Sequence, residues 1–138
     1  MKIYDAENQI VGRLASVVAK QLLGGEKIAV VNSEKAVLSG NPRQKTVFYH
    51  ERVKRGDPIH GPFFPRQPNE ILRRAVRGML PWDRSRGRTA FKNLKVFIGV
   101  PDEFKGKTFE RVALAEASKL KVKYITLDDI STSLGAKK

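Results

Sequence analysis

The first thirty or so residues restrict the fold more than any other stretch. Lys2–Asp5 is a short strand candidate that ends on a carboxylate. From Val11 the apolar positions Val11, Leu14, Ala15, Val18, Ala19, Leu22 and Leu23 recur at i, i+3, i+4 and i+7, the spacing of an amphipathic helix. Gly24-Gly25 supplies its C-terminal stop. Ile28–Val31 is a continuous apolar run, which suits a strand buried on both faces of a parallel sheet. Strand, helix and strand in that order form a βαβ unit, so the two strands run parallel and the helix covers the sheet. Ala36-Val37-Leu38 offers a further short strand.

Beyond Ser39-Gly40, Asn41 is a good N-cap and Pro42 suits the first helical position. The helix they open runs to about Val53 with a weak apolar stripe, and Gly56-Asp57-Pro58 stops it. Five prolines and glycines to Pro68, interleaved with His60, Phe63, Phe64 and Arg66, give a loop too apolar to float free; the two phenylalanines are expected to anchor it. From Asn69 to Leu80 the positions Ile71, Leu72, Ala75, Val76, Met79 and Leu80 share one helical face, while Arg73, Arg74 and Arg77 occupy the other. Pro81 ends this helix, Trp82–Arg88 reads as a basic loop, and Leu94–Ile98 as the last core strand. In the C-terminal third, Thr108 is placed to cap a helix through Val112, Ala113 and Ala117. Tyr124–Leu127 is extended, and Thr126 with Asp129 forms a cap for a short helix ending at Gly135. Strands alternating with helices give an α/β fold with a small parallel sheet covered on both sides.

Charge narrows the function. The chain has 138 residues with 27 Lys and Arg against 14 Asp and Glu, a net charge of +13. The excess is local: residues 41–95 hold 14 bases and 4 acids, net +10, while the segments on either side are nearly balanced. Ten of those bases are arginine, which favours fixed, bidentate contacts over a diffuse charge cloud. A basic region of this density points to a polyanionic partner. Cysteine is absent, so disulfides and thiolate metal sites are excluded and a reducing, cytosolic setting is expected. No run of about 18 apolar residues suggests a membrane span.

Catalytic chemistry has no visible address. The glycine pairs match no phosphate-cradling motif, and His50 and His60 lack a third metal ligand. Nuclease sites gather several carboxylates around a metal, whereas the basic region has only Glu51, Asp57, Glu70 and Asp83, spread over separate elements. No catalytic residue, metal or cofactor is therefore expected. Trp82 suits base stacking and simple packing equally.

Three stretches carry a resemblance. The first is Val76-Arg77-Gly78-Met79-Leu80-Pro81, then five residues, Gly87-Arg88, five more, and Leu94-Lys95-Val96-Phe97-Ile98-Gly99. The others are Asp5–Ser16, and Ile28–Lys35 followed by Leu38-Ser39-Gly40. In this order they resemble the universal large-subunit ribosomal protein thirteen family. Gly61–Arg66 together with Arg77–Pro81 looks like its archaeal and eukaryotic branch. The resemblance implies a three-layer α/β/α domain around a four-stranded, mainly parallel sheet. It also implies placement on the large-subunit ribosomal RNA beside neighbouring ribosomal proteins, with a role in assembling and stabilising that subunit. By position it places Arg77, Gly78, Gly87 and Arg88 at the RNA surface, and Arg13 on RNA or bridging to an acid such as Glu7.

The expected organisation is one RNA-binding domain over residues 1–138, with a basic insertion at about 41–95 and a C-terminal extension at about 102–138. No membrane partner or homo-oligomer is expected. The candidate RNA contacts are Arg43, Lys45, Arg52, Lys54, Arg55, His60, Arg66, Arg73, Arg74, Arg77, Gly78, Trp82, Arg84, Arg86, Gly87, Arg88 and Lys92. An RNA-processing enzyme would need a carboxylate or histidine cluster; a free regulator of messenger RNA would share the same basic surface.

Overall fold

Strand β1 (Lys2–Asp5), helix α1 (Val11–Leu23) and strand β2 (Ile28–Val31) form the expected βαβ unit in the computed structural model, which describes residues 1–136. β1 and β2 pair in parallel, Lys2 opposite Ile28, and β4 (Leu94–Val96) joins β2 in parallel on the other side, Ile28 opposite Leu94. β2 is therefore central, and its four residues are all buried because both of its faces are covered.

The two faces are covered differently. Tyr4, Ile28, Val30, Leu94 and Val96 pack against Leu14, Val18 and Leu22 of α1 and against Ile71, Leu72 and Val76 of α3 (Pro68–Arg77). This is the larger core, and it also takes in Leu127 and Ile130 of α5 (Leu127–Ser133). The opposite face, Ile3, Ala29 and Val31, is closed by Phe97, Val100, Phe104 and Phe109. That layer is a loop with a single 3-10 turn at Asp102–Phe104 in place of an α-helix. The α/β class and the mainly parallel sheet hold, whereas the third layer is aromatic rather than helical.

The sheet has three parallel strands. A single parallel bridge between Tyr4 and Glu110 adds a rudimentary fourth lane on the β1 edge. β3 (Val37–Ser39) stands apart and pairs antiparallel with β5 (Tyr124–Thr126), Leu38 opposite Ile125. The reason is local. Asn32 takes a left-handed conformation, φ 57°, and a 3-10 turn at Ser33–Lys35 swings the chain out of the sheet before β3 begins.

The helix expected from Thr108 does not form. Its backbone groups are engaged elsewhere: Glu110 N–H donates to Ile3 O at 2.8 Å, and Asp5 N–H to Glu110 O at 3.0 Å. Further on, Ile10 N–H donates to Ala115 O and Ala117 N–H to Asn8 O. Only 3-10 turns at Ala113–Ala115 and Ala117–Lys119 remain. Side chains reinforce this stitching. The fully buried Gln9 donates to Glu116 Oε1 at 2.9 Å and accepts from Val112 N–H at 3.1 Å. Arg111 holds both Glu116 oxygens at 3.0 Å and the Glu7 carbonyl at 2.7 Å. The segment beyond residue 102 thus completes the core. The cap for α5 is as expected, with Thr126 Oγ1 accepting from Asp129 N–H at 3.2 Å.

Candidate nucleic-acid interface

The basic region is built on three helices. α2 (Pro42–Lys54) starts where expected, with the Asn41 side chain accepting from Arg43 N–H at 3.0 Å and Pro42 in its first turn. None of its residues is fully buried. It is moored through Tyr49 and Val53 on the core, and Tyr49 meets Phe64 of the proline-rich loop at 5.8 Å between ring centroids. Burial pushes the Tyr49 hydroxyl above its ordinary pKa, opposed by Arg52. Phe64 thus anchors the loop, but Phe63, assigned the same role from sequence, is 66% exposed.

The loop is shaped by its own backbone. Asp57 and Gly61 exchange hydrogen bonds of 3.2 and 2.9 Å across a tight hairpin, and Asp57 Oδ1 accepts from Ile59 N–H. That bond, with help from His60 at 3.6 Å, holds the Asp57 carboxyl below its usual range. A side chain at Gly56 would meet the Pro62 carbonyl oxygen at 2.5 Å, so only glycine lets the loop fold back there.

α3 buries Ile71, Leu72 and Val76 and turns Arg73, Arg74 and Arg77 away from the core, as its periodicity implies. It ends at Arg77, so Met79 lies past the last turn and is 44% exposed rather than part of the apolar face. The stretch read as a basic loop through Arg88 becomes helical at Ser85: α4 spans Ser85–Lys92. Gly87 makes this possible. It is buried, and a Cβ there would collide with the Pro81 carbonyl, so it packs beneath the Pro81–Asp83 turn. Arg88 secures the same turn, donating from Nε to Trp82 O at 2.9 Å and from Nη2 to Asp83 O at 3.3 Å. Arg13 donates to the Leu114 carbonyl at 3.1 Å, and its suggested bridge to Glu7 gives way to a Lys35–Glu7 pair at 3.7 Å.

Together these elements enclose a groove of about 520 Å³. Arg52 of α2 and Arg55 just past its end form one wall, and Arg74, Arg77 and Gly78 at the end of α3 the other; Pro62, Phe64, Leu80 and Trp82 complete it. No acidic residue lines it. A smaller cleft adjoins it, sharing Arg74 and Arg77 and adding Phe63, Pro65, Arg73, Phe91 and one acid, Glu70.

The guanidinium groups lie against rings. Arg77 sits 4.4 Å from the Trp82 centroid, Arg73 4.6 Å from Phe91 and Arg52 4.8 Å from Phe48, while Arg74 is 5.8 Å from Phe64. Trp82 in turn meets Phe91 edge-on at 5.2 Å, a packing contact within the protein. Ion pairs among the described residues lie elsewhere, at Lys2–Glu26, Lys35–Glu7, His60–Asp57, Lys105–Asp102 and Arg111 with Asp5 and Glu116. A guanidinium resting on a ring keeps in-plane N–H groups for an outside acceptor, and the ring restricts its rotation without neutralising it; Arg74 spends one of its own on the Phe63 carbonyl at 3.3 Å. This geometry suits phosphate oxygens.

Of the residues singled out by sequence, the fold gathers Arg52, Arg55, Arg74, Arg77, Gly78 and Trp82 in the groove and Arg73 beside it. Arg66 lines a shallow neighbouring pocket with Val53 and Phe64, and Arg86 another near Leu22 and Leu23 at the end of α1. Arg43, Lys45, Lys54, His60, Arg84 and Lys92 are not among the groove's lining residues. Sequence reasoning missed the supporting rings Phe48 and Phe91. The 87, 90, 91 spacing of Gly87, Ala90 and Phe91 is the i, i+3, i+4 signal that would have revealed α4. No group of three or more His, Cys, Asp or Glu among the described residues could hold a metal.

Comparison with known proteins places the chain in a family. Residues 1–103 match the family model described as ribosomal protein L13. The large ribosomal subunit protein uL13 of Archaeoglobus fulgidus is 49% identical over 135 residues, covering 96% of this chain and 86% of its own length. That of Methanococcoides burtonii is 47% identical over 140 residues, with 99% of both chains covered, and that of Aeropyrum pernix is 46% identical. With three quarters of its length inside the family model and near-complete alignment to archaeal relatives, this chain belongs to the ribosomal protein L13 family.

Proposed function

We propose that the chain is a structural constituent of the large ribosomal subunit, working in translation within the cytoplasm, and that it binds large-subunit ribosomal RNA without catalysing a reaction. One observation carries the RNA-binding part: four arginines line a single groove, three of them lie against aromatic rings, and no carboxylate shares it. In water such a cluster repels itself, and a folded polyphosphate removes that repulsion while releasing counterions. Arg52, Arg55, Arg74 and Arg77 are the central phosphate contacts in this reading. Arg73 extends the site, and Arg43, Lys45, Lys54, Arg66, Arg84, Arg86 and Lys92 widen the basic field around it. The core positions these groups; the C-terminal segment keeps the core closed.

Chemical footprinting of large-subunit RNA, with and without the chain, tests the reading. Protection of a compact set of nucleotides, lost when Arg74 and Arg77 are both changed to Glu, is the expected outcome. Unchanged protection by the variant would refute the assignment of the groove. Incubating the pure protein with labelled RNA and a divalent metal tests the non-catalytic part, where turnover would contradict it.

A further inference from the structure

We infer that the groove between α2 and α3 is a pocket for one unpaired nucleotide of RNA, holding both its base and its phosphate. This inference rests on the RNA-binding reading and adds what the groove takes. Three features point beyond a phosphate clamp. First, the groove is concave, and about 520 Å³ falls in the range of sites that enclose a small ligand. A base-paired helix presents a wide convex surface and cannot enter such a cavity, whereas an unpaired base is free to splay out. Second, a clamp for phosphate alone needs no apolar wall, yet Phe64, Leu80 and Trp82 line this one beside the arginines. Third, the Arg77 guanidinium lies over the Trp82 ring at 4.4 Å, so a cation and an aromatic ring, both suited to contact with a flat base, stand together in the groove.

Gly78 completes the argument. It lines the groove with ordinary helical backbone, φ −64° and ψ −16°, and a Cβ there would touch only the Ala75 and Arg74 carbonyl oxygens, at 3.7 and 3.8 Å. Backbone geometry therefore does not require glycine. Its missing side chain leaves room in the groove, and the base occupies that room while Arg52, Arg55, Arg74 and Arg77 hold its phosphate and those flanking it.

The test compares two RNA hairpins that differ only by one unpaired, bulged nucleotide in the stem. Both are titrated against the full-length protein at one fixed salt concentration. Affinity is read by filter binding, and the site is read by the emission of Trp82, the only tryptophan in the chain. The bulged hairpin is expected to bind about 5- to 100-fold more tightly, the worth of one base–aromatic stack, and to change the Trp82 emission. Gly78→Leu is expected to abolish that preference. Equal affinity and equal emission for the two hairpins would overturn the inference, as would tighter binding of the fully paired one. If neither hairpin binds while large-subunit RNA does, the pocket falls and the RNA-binding reading stands; if large-subunit RNA does not bind either, that reading falls as well.

Discussion

Gly78 and Gly87 sit nine positions apart in the same motif, yet alanine at each should have opposite effects on stability. Gly87 is buried in the first turn of α4, where a methyl group would overlap both the oxygen and the carbonyl carbon of Pro81. Those are backbone atoms and cannot turn aside. The Pro81 carbonyl also accepts from Arg84 N–H at 3.0 Å, and the adjoining Trp82 and Asp83 carbonyls accept from Arg88. Making room costs about 3–4 kcal/mol in overpacking and weakened hydrogen bonds. The better helix propensity of alanine offsets about 1 kcal/mol of that. The net is a loss of about 2–3 kcal/mol, roughly 7–10 °C in melting temperature for a domain of this size. Gly78→Ala meets only contacts of 3.7 Å or more in unstrained backbone, so it should stabilise by about 0.4–1 kcal/mol through a less flexible unfolded chain. Urea unfolding followed by far-UV circular dichroism measures both. A Gly87→Ala midpoint equal to or above that of the parent protein would refute the account of how the Pro81–Asp83 turn is packed.

Further outcomes follow from the core and from the Arg111 clamp. The Arg111 hydrogen bonds hold the Glu116 carboxyl below its ordinary pKa. The unfolded chain therefore binds more protons in acid: this contribution is present above the unfolded value of about 4.3 and lost as pH falls through the folded one. Glu116→Gln should flatten the dependence of stability on pH below about pH 5, and an unchanged slope in urea titrations at several pH values would contradict this. Leu72→Ala, at a side chain only 1% exposed where α3 meets the sheet, should cost about 2–5 kcal/mol in calorimetry. Ending the chain after Val100 removes Phe104, Leu127 and Ile130 from the two cores and should abolish cooperative thermal unfolding.

The βαβ unit was legible because its patterns are set locally. A helix repeats every 3.6 residues, and a strand buried on both faces is apolar throughout, so α1 and β2 announce themselves. The helix proposed from Thr108 failed for the complementary reason. Ala113 and Ala117 do have helical spacing, but the backbone from Glu110 to Ala117 is bonded to β1 and to Asn8 and Ile10 across about a hundred residues, and no local pattern reports that. α4 was hidden by Gly87 and three arginines, which resemble a loop until the Pro81 carbonyl is seen above the glycine. At the interface, the arginines of α3 were readable from charge and periodicity. Two of their supports were not: Phe64 and Phe91 come from separate segments, and nothing in linear order pairs them with Arg74 and Arg73, whereas Phe48, four residues before Arg52 on α2, was within reach of helical spacing.

The most direct measurement is the salt dependence of RNA binding with the groove intact and with its charge removed. Arg52, Arg55, Arg74 and Arg77 are changed together to Gln, circular dichroism confirms that the variant is folded, and affinity for large-subunit RNA is followed as potassium chloride is raised. If all four meet phosphates, the slope of log affinity against log salt should become shallower by about 3, the share of four released counterions. A variant whose slope matches that of the parent protein would mean that the groove arginines do not touch the RNA backbone.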